Sequence, residues 1–180
     1  MKLLKWLLAI LVAAWAGQYL LAMVAPNLIM EGVYFGGAKQ GGYNKLVVRP
    51  VPDETARSVV RPSPDLLYAS CLYNLEDGPI VIEAPIPERY WSMQFYQMNT
   101  DNFAGITNQR ADSTRVGSVA KVTLISADDD PANYQGEVIQ SPTDRGIMLL
   151  RASAIGDRTQ QQAALDASYC GPQGTPAPAR

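Results

Sequence analysis

The sequence predicts a mainly β protein: one transmembrane helix, then a multi-strand antiparallel domain with a single short helix near its end. Three observations carry this. Residues 6–25 are an apolar run with no charge. The 13 prolines and 14 glycines, nearly all beyond residue 25, divide the rest into short segments bounded by turn signals. Several of those segments alternate apolar and polar residues with a period of two, the signature of a strand with one buried face.

The N-terminal run comes first. Lys2 and Lys5 precede it, and the next charge is Glu31. At 1.5 Å per helical residue, Trp6 to Ala25 reaches about 30 Å, the thickness of a bilayer's hydrocarbon core. Gln18 is its one strongly polar member. Trp6 and Tyr19 suit the interfaces, and Pro26-Asn27 is expected to break the helix. Two rivals stand beside the uncleaved anchor. A signal peptide would be cut after Ala14-Trp15-Ala16, and a second site after Ala25 has Met23 where a small residue belongs. The run continues well past Ala16, which favours the anchor. A buried soluble helix fits poorly, because the run is apolar on every face. The lysines favour a cytoplasmic N-terminus, although Lys39, Lys45 and Arg49 on the far side reduce the bias. The expected layout is residues 1–5 in the cytoplasm, 6–25 in the membrane, 26–168 as the β domain and 169–180 as a flexible tail.

After the anchor, "EGVYFGG" is expected as a short strand and "AKQGGYNKL" as loop. Leu67 to Leu75 reads as a strand with Leu67, Ala69, Cys71 and Tyr73 on one face. Glu76-Asp77-Gly78 supplies a turn, and Ile80 to Pro85 continues as a second strand, so the pair reads as a central hairpin. "ERYWSMQFYQM" shows the clearest alternation. Trp91, Met93 and Phe95 belong in a core; Tyr90, Ser92, Gln94 and Tyr96 form a half-polar, half-aromatic face like the wall of a groove. Later strands are expected at 118–126, around 137–140 and at 146–152. Asp128-Asp129-Asp130 lacks the spaced ligands of a calcium loop and reads as a solvated turn before Pro131. Asp157, three residues before Gln160, starts the one expected soluble helix. Four Pro-x-Pro units, at 50–52, 62–64, 85–87 and 176–178, are scattered and read as strand ends and stiff turns rather than polyproline ligands.

Composition excludes several function classes. The net charge is −2, and setting aside Lys2 and Lys5 leaves 13 basic against 17 acidic residues, with no basic cluster. A nucleic-acid partner is therefore not expected. Histidine is absent, which removes Ser-His-Asp and Cys-His catalysis and the commonest metal ligand. Two cysteines cannot close a Cys/His zinc site. No metal or cofactor is expected. "GGAKQGG" lacks the ending of a phosphate loop.

Three motifs in order, "VVRPSPDLLYAS", "LEDGPIVIEAP" and "RYWSMQFYQMNTDNFA", together with "GEVIQSPTDRGIMLLRA" before a short helix, resemble the bacterial domain of unknown function 1254. The resemblance covers residues 30–168 and implies an immunoglobulin-like antiparallel β-sandwich. It also implies a short, membrane-anchored member, whose companion, a jelly-roll domain of unknown function 1214, lies on a separate anchored protein. The usual "RPNPDTLY" stands here as "RPSPDLLY": Asp65 and Tyr68 are kept, while Ser63 and Leu66 depart. The resemblance carries no catalytic residues.

The candidate groove comprises Asp65, Tyr68, Arg89, Tyr90, Gln94 and Asp101, gathered at one end of the sandwich. Asp65 is read first as a cap on its turn. Asp65 and Asp101 would serve acid–base chemistry only if proximity or burial split their pKa values. Cys71 and Cys170 either form a disulfide stapling the tail to the sandwich, or are a small core residue and a free tail thiol. Two functions follow: an envelope module in the periplasm that docks its companion, or a hydrolase or small-molecule binder whose site the two domains share.

Overall fold

A computed structural model describes residues 2–53, 55–57, 62–108 and 117–174. The chain begins with one helix, α1 (Lys2–Gly41), about 60 Å long. Among the described residues nine strands follow: β1 (Leu46–Val48), β2 (Leu66–Asn74), β3 (Ile80–Pro85), β4 (Trp91–Gln97), β5 (Asn102–Thr107), β6 (Val119–Ile125), β7 (Glu137–Gln140), β8 (Arg145–Ser153) and β9 (Tyr169–Pro172). A short helix, α2 (Arg158–Asp166), lies between β8 and β9. The strands form two packed sheets. Sheet A has the order β1-β2-β8-β4-β5, and sheet B has the order β7-β6-β3-β9.

The core lies between the sheets. Leu67, Ala69, Cys71 and Tyr73 of β2 and Trp91, Met93 and Phe95 of β4 point inward and are buried, on the faces their alternation assigns. Sheet B meets them with Ile80, Ile82, Val122 and Leu124. Cys71 of sheet A is joined by a disulfide to Cys170 of sheet B, closing a loop of sequence separation 99. Asp157 caps α2, accepting from the N–H groups of Thr159 and Gln160.

Five expectations are corrected. Pro26 does not break α1 but lies inside it. A proline removes one backbone donor; the helix nevertheless resumes, because its later turns are held by the sandwich through buried Met30 and Tyr34. "EGVYFGG" is helix rather than strand, and so is Ala38–Gly41 of the expected loop. The glycines here are contact residues: a Cβ at Gly37 would meet the Leu72 side chain at 3.0 Å, and one at Gly41 would run into Val47. Gly42, at φ 78°, then ends the helix in the left-handed region, its N–H bonding to the Ala38 carbonyl.

The expected central hairpin is a crossing between sheets. β2 pairs with β1 and β8, whereas β3 pairs with β6 and β9. The turn at Glu76–Gly78 carries the chain across the gap of about 10 Å between sheets. Leu75 donates to the Asp144 carbonyl at its start, and Gly78 takes φ 111°. The domain is not wholly antiparallel, since β6 and β7 run parallel. Their connection is long enough to return to the same end of the sheet, as a parallel pair requires. Finally, the expected tail begins with a strand: β9 is paired to β3 and pinned through Cys170. Residues 175–180, with the Pro-x-Pro unit at 176–178, lie outside the described residues. Strands β1, β5 and β9 had no counterpart in the sequence reading.

Candidate functional site

The half-polar face of β4 looks outward from sheet A. The register places Tyr68 of β2, Arg151 of β8, Ser92 of β4 and Thr107 of β5 in one row across four strands. These are alternate positions whose neighbours Leu67, Ala152, Met93 and Ile106 fill the core. Arg151 donates from Nε to the Ser92 hydroxyl at 3.3 Å, and the Tyr90 hydroxyl lies 3.0 Å from the same oxygen. Ser92 is thereby fully buried although it faces away from the core, while Tyr90 stays 42% exposed. The result is an aromatic and cationic surface around one covered hydroxyl.

Each expected residue has a definite place. The Tyr68 hydroxyl accepts the Ser63 N–H at 3.0 Å. Ser63, not Asp65, does the capping: its hydroxyl accepts the Asp65 N–H, and the Asp65 carbonyl accepts from Ala154 at 2.7 Å. Arg89 packs its guanidinium over Gly156, where any Cβ would stand within 3.0 Å of it. Gln94 lies at mid-strand across Gly105 and accepts from the Asn102 amide at 3.0 Å. Asp101 belongs to the turn between β4 and β5. Its carboxylate accepts from Asn99 at 2.8 Å and from Gln97 at 3.4 Å, and Thr100 takes φ 75°.

The expected cluster therefore divides. Asp65, Tyr68, Arg89 and Tyr90 share one end of the sandwich, and Gln94 lies midway. Asp101 is at the other end, beside Gln97, whose partner on β8 is Gly146. Asp65 is held at Ala154, eight residues further along β8, or about 26 Å away. The two carboxylates cannot act as an acid–base pair, which needs hydrogen-bond reach to one substrate. Strand periodicity does not reveal β5 or the direction of the turn before it, so the residues alone do not separate the two acids.

Arg151 was not anticipated. Its signal was present in "GIMLLRA", where Ile147, Leu149 and Arg151 alternate with core residues. Only the pairing of β8 between β2 and β4 brings it to Ser92. A separate polar cluster lies at the end of the core where Asp101 sits. The buried Tyr73 hydroxyl donates to the Tyr96 carbonyl at 3.2 Å and lies 3.0 Å from the Ser141 hydroxyl. Burial pushes this phenol up to about 12, against the smaller opposing effect of hydrogen bonds from Ser141 and Thr143. A Cβ at Gly146 would collide with that hydroxyl, which makes the position one for glycine. Among the described residues, no group of three or more acidic or cysteine side chains is placed to hold a metal.

A sequence profile described as "Protein of unknown function (DUF1254)" matches residues 43–169. The chain belongs to this family. The family region starts just after α1 and closes at the first residue of β9. Two solved structures share the fold. The VPA0106 protein from Vibrio parahaemolyticus matches with a TM-score of 0.61 at 15% identity, over 90% of this chain. An uncharacterised protein from Burkholderia cenocepacia matches with a TM-score of 0.52 at 14% identity, over 91%. This chain spans 40% and 44% of those two chains. At such identities the likeness concerns the fold. A search of curated proteins returned no match.

Proposed function

We propose that this DUF1254 protein is a non-catalytic module of the bacterial envelope. In this reading α1 is an uncleaved anchor that crosses the inner membrane once through residues 6–25. The head, an immunoglobulin-like sandwich, stands in the periplasm, and the outer face of sheet A docks a companion domain of unknown function 1214 carried on a separate chain. The anchor reading is supported by the length and exposure of α1, whose described residues before Met30 include none that are buried. An oxidising compartment is supported by the Cys71–Cys170 disulfide. The docking reading rests on one observation above all: the outward-facing row of Tyr68, Arg151, Ser92 and Thr107 across sheet A, with Tyr90 part-exposed beside it. The row around Arg151 and Tyr90 is an outward surface of the composition that interfaces favour, rich in tyrosine and arginine.

The test is co-expression with a companion chain from the same bacterium, followed by detergent extraction and affinity capture. The companion is expected to co-purify, and Arg151→Glu or Tyr90→Ala to weaken the association at least tenfold. Two folded proteins that fail to associate would remove the proposal.

A further inference from the structure

We infer that the head is carried on a rigid strut and stands end-on to the bilayer. The Glu76–Gly78 end meets the lipid headgroups, and the Asp65, Arg89 and Tyr90 end points away. This rests on the reading that α1 crosses a membrane. It adds which surface of the head the lipid touches and which surface remains for a partner.

The inference starts from how α1 enters the head. No linker intervenes, because the same helix that holds residues 6–25 ends packed against β1 and β2 of the head, on Val47 and Leu72. Tyr34 is fully buried, and its hydroxyl donates to the Tyr73 carbonyl at 3.0 Å. Its ring stacks on Tyr43 with centroids 5.0 Å apart. Gly37 lies against Leu72 and Gly41 against Val47. Just beyond, Asn44 clamps the end of β2. Its N–H reaches the Leu72 carbonyl at 2.8 Å, its amide donates to the Asn74 carbonyl at 2.8 Å, and its side-chain oxygen accepts the Asn74 N–H at 2.7 Å.

These contacts set direction. Tyr34 is beside Tyr73, Gly37 beside Leu72, and Gly41 beside Val47, whose strand partner is Ser70. The helix therefore runs against the chain direction of β2, and its N-terminal half leaves the sandwich past Asn74.

Length sets the height. Ala25 ends the apolar run and Met30 is the first buried residue. Five residues of helix rise about 7 Å, close to the thickness of one headgroup layer. No gap is left for the head to swing in. The groups brought to the lipid are those at the Asn74 end: Glu76, Asp77, Asp144 and Asp129, the last two bonded to Ser126. Along β8 the far end lies about 27 Å higher, where Tyr90 accepts from Ser153 through its carbonyl.

The experiment uses the full chain reconstituted into vesicles containing lipid with a headgroup nitroxide. Flotation with the vesicles comes first; a chain that does not float sinks the membrane reading itself, and this inference with it. Single cysteines are then introduced as Asp77→Cys, Asp129→Cys, Arg89→Cys or Arg158→Cys. They are labelled with a fluorophore without reductant, since the native disulfide is buried. Labels at 77 and 129 are expected to be quenched several-fold more than those at 89 and 158. Equal quenching at all four sites, or the reverse order, in a chain that floats would overturn the inference while leaving the anchor intact. Gly37→Leu, which forces α1 off Leu72, should erase the difference without abolishing flotation. A difference that survives it would overturn the role given to the docked helix.

Discussion

Neighbouring residues of β4 live in opposite environments. Trp91, Met93 and Phe95 are fully buried between the sheets. Ser92 and Gln94, one step away, face outward and are held by side-chain hydrogen bonds to Arg151, Tyr90 and Asn102. The inner face is held by the removal of apolar surface from water, which scales with area. The outer face is held by hydrogen bonds whose net contribution is individually small. The difference teaches where change is tolerated: the inner face specifies the fold, and the outer face is free to be shaped by what binds it.

That contrast can be broken most severely from inside. Phe95→Ala should destabilise the head by about 3–5 kcal/mol, through lost burial and the cavity left behind, read as a lowered denaturant midpoint. Replacing both Cys71 and Cys170 with alanine should cost about 2–4 kcal/mol, the usual worth of a disulfide, since the open chain regains the freedom of a long loop. Reduction of the wild type should reproduce that loss, and reduction of the double variant should change nothing.

Alkali probes the polar part of the interior. Tyr73 is held neutral by burial, with its pKa raised from 10.0 to about 12, and burial raises the Tyr34 phenol as well. Groups raised in the folded state stabilise it fully below their unfolded pKa. That contribution is lost as pH climbs through the folded value. Urea unfolding should therefore show stability falling from about pH 10 towards about pH 12. Tyr73→Phe with Tyr34→Phe should flatten the fall. The smallest effect belongs to the outer face: Ser92→Ala should cost about 1 kcal/mol or less, since Arg151 and Tyr90 turn to water when released. A cost as large as that of Phe95→Ala would show that the outer row is part of the core after all.

The contrast also separates what was legible in the residues from what was not. Alternation assigned Trp91, Met93 and Phe95 to the core and Ser92 and Gln94 to the other side, because a strand's period is a local property. It did not say that β2 pairs with β8 rather than β3, since any inward-facing strand satisfies the same pattern. For the same reason Arg151 was not connected to Ser92, and Asp101 was placed at the wrong end. The helix was misread where "EGVYFGG" suggested a strand and "AKQGGYNKL" a loop. Glycine's weak helix propensity was overridden by close packing against Leu72 and Val47, partners that come from distant parts of the chain.

By itself the sequence determined the apolar leading helix, the mainly β body, the buried face of each strong strand and the lack of histidine chemistry. All of these follow from residue type and short-range period. Tertiary structure alone decided the allocation of strands to two sheets, the continuation of α1 past Pro26 into the head, the disulfide's span between sheets and the distance between the two candidate acids. Each depends on which remote segments meet, and periodicity reports the face a residue occupies without naming the segment that covers it.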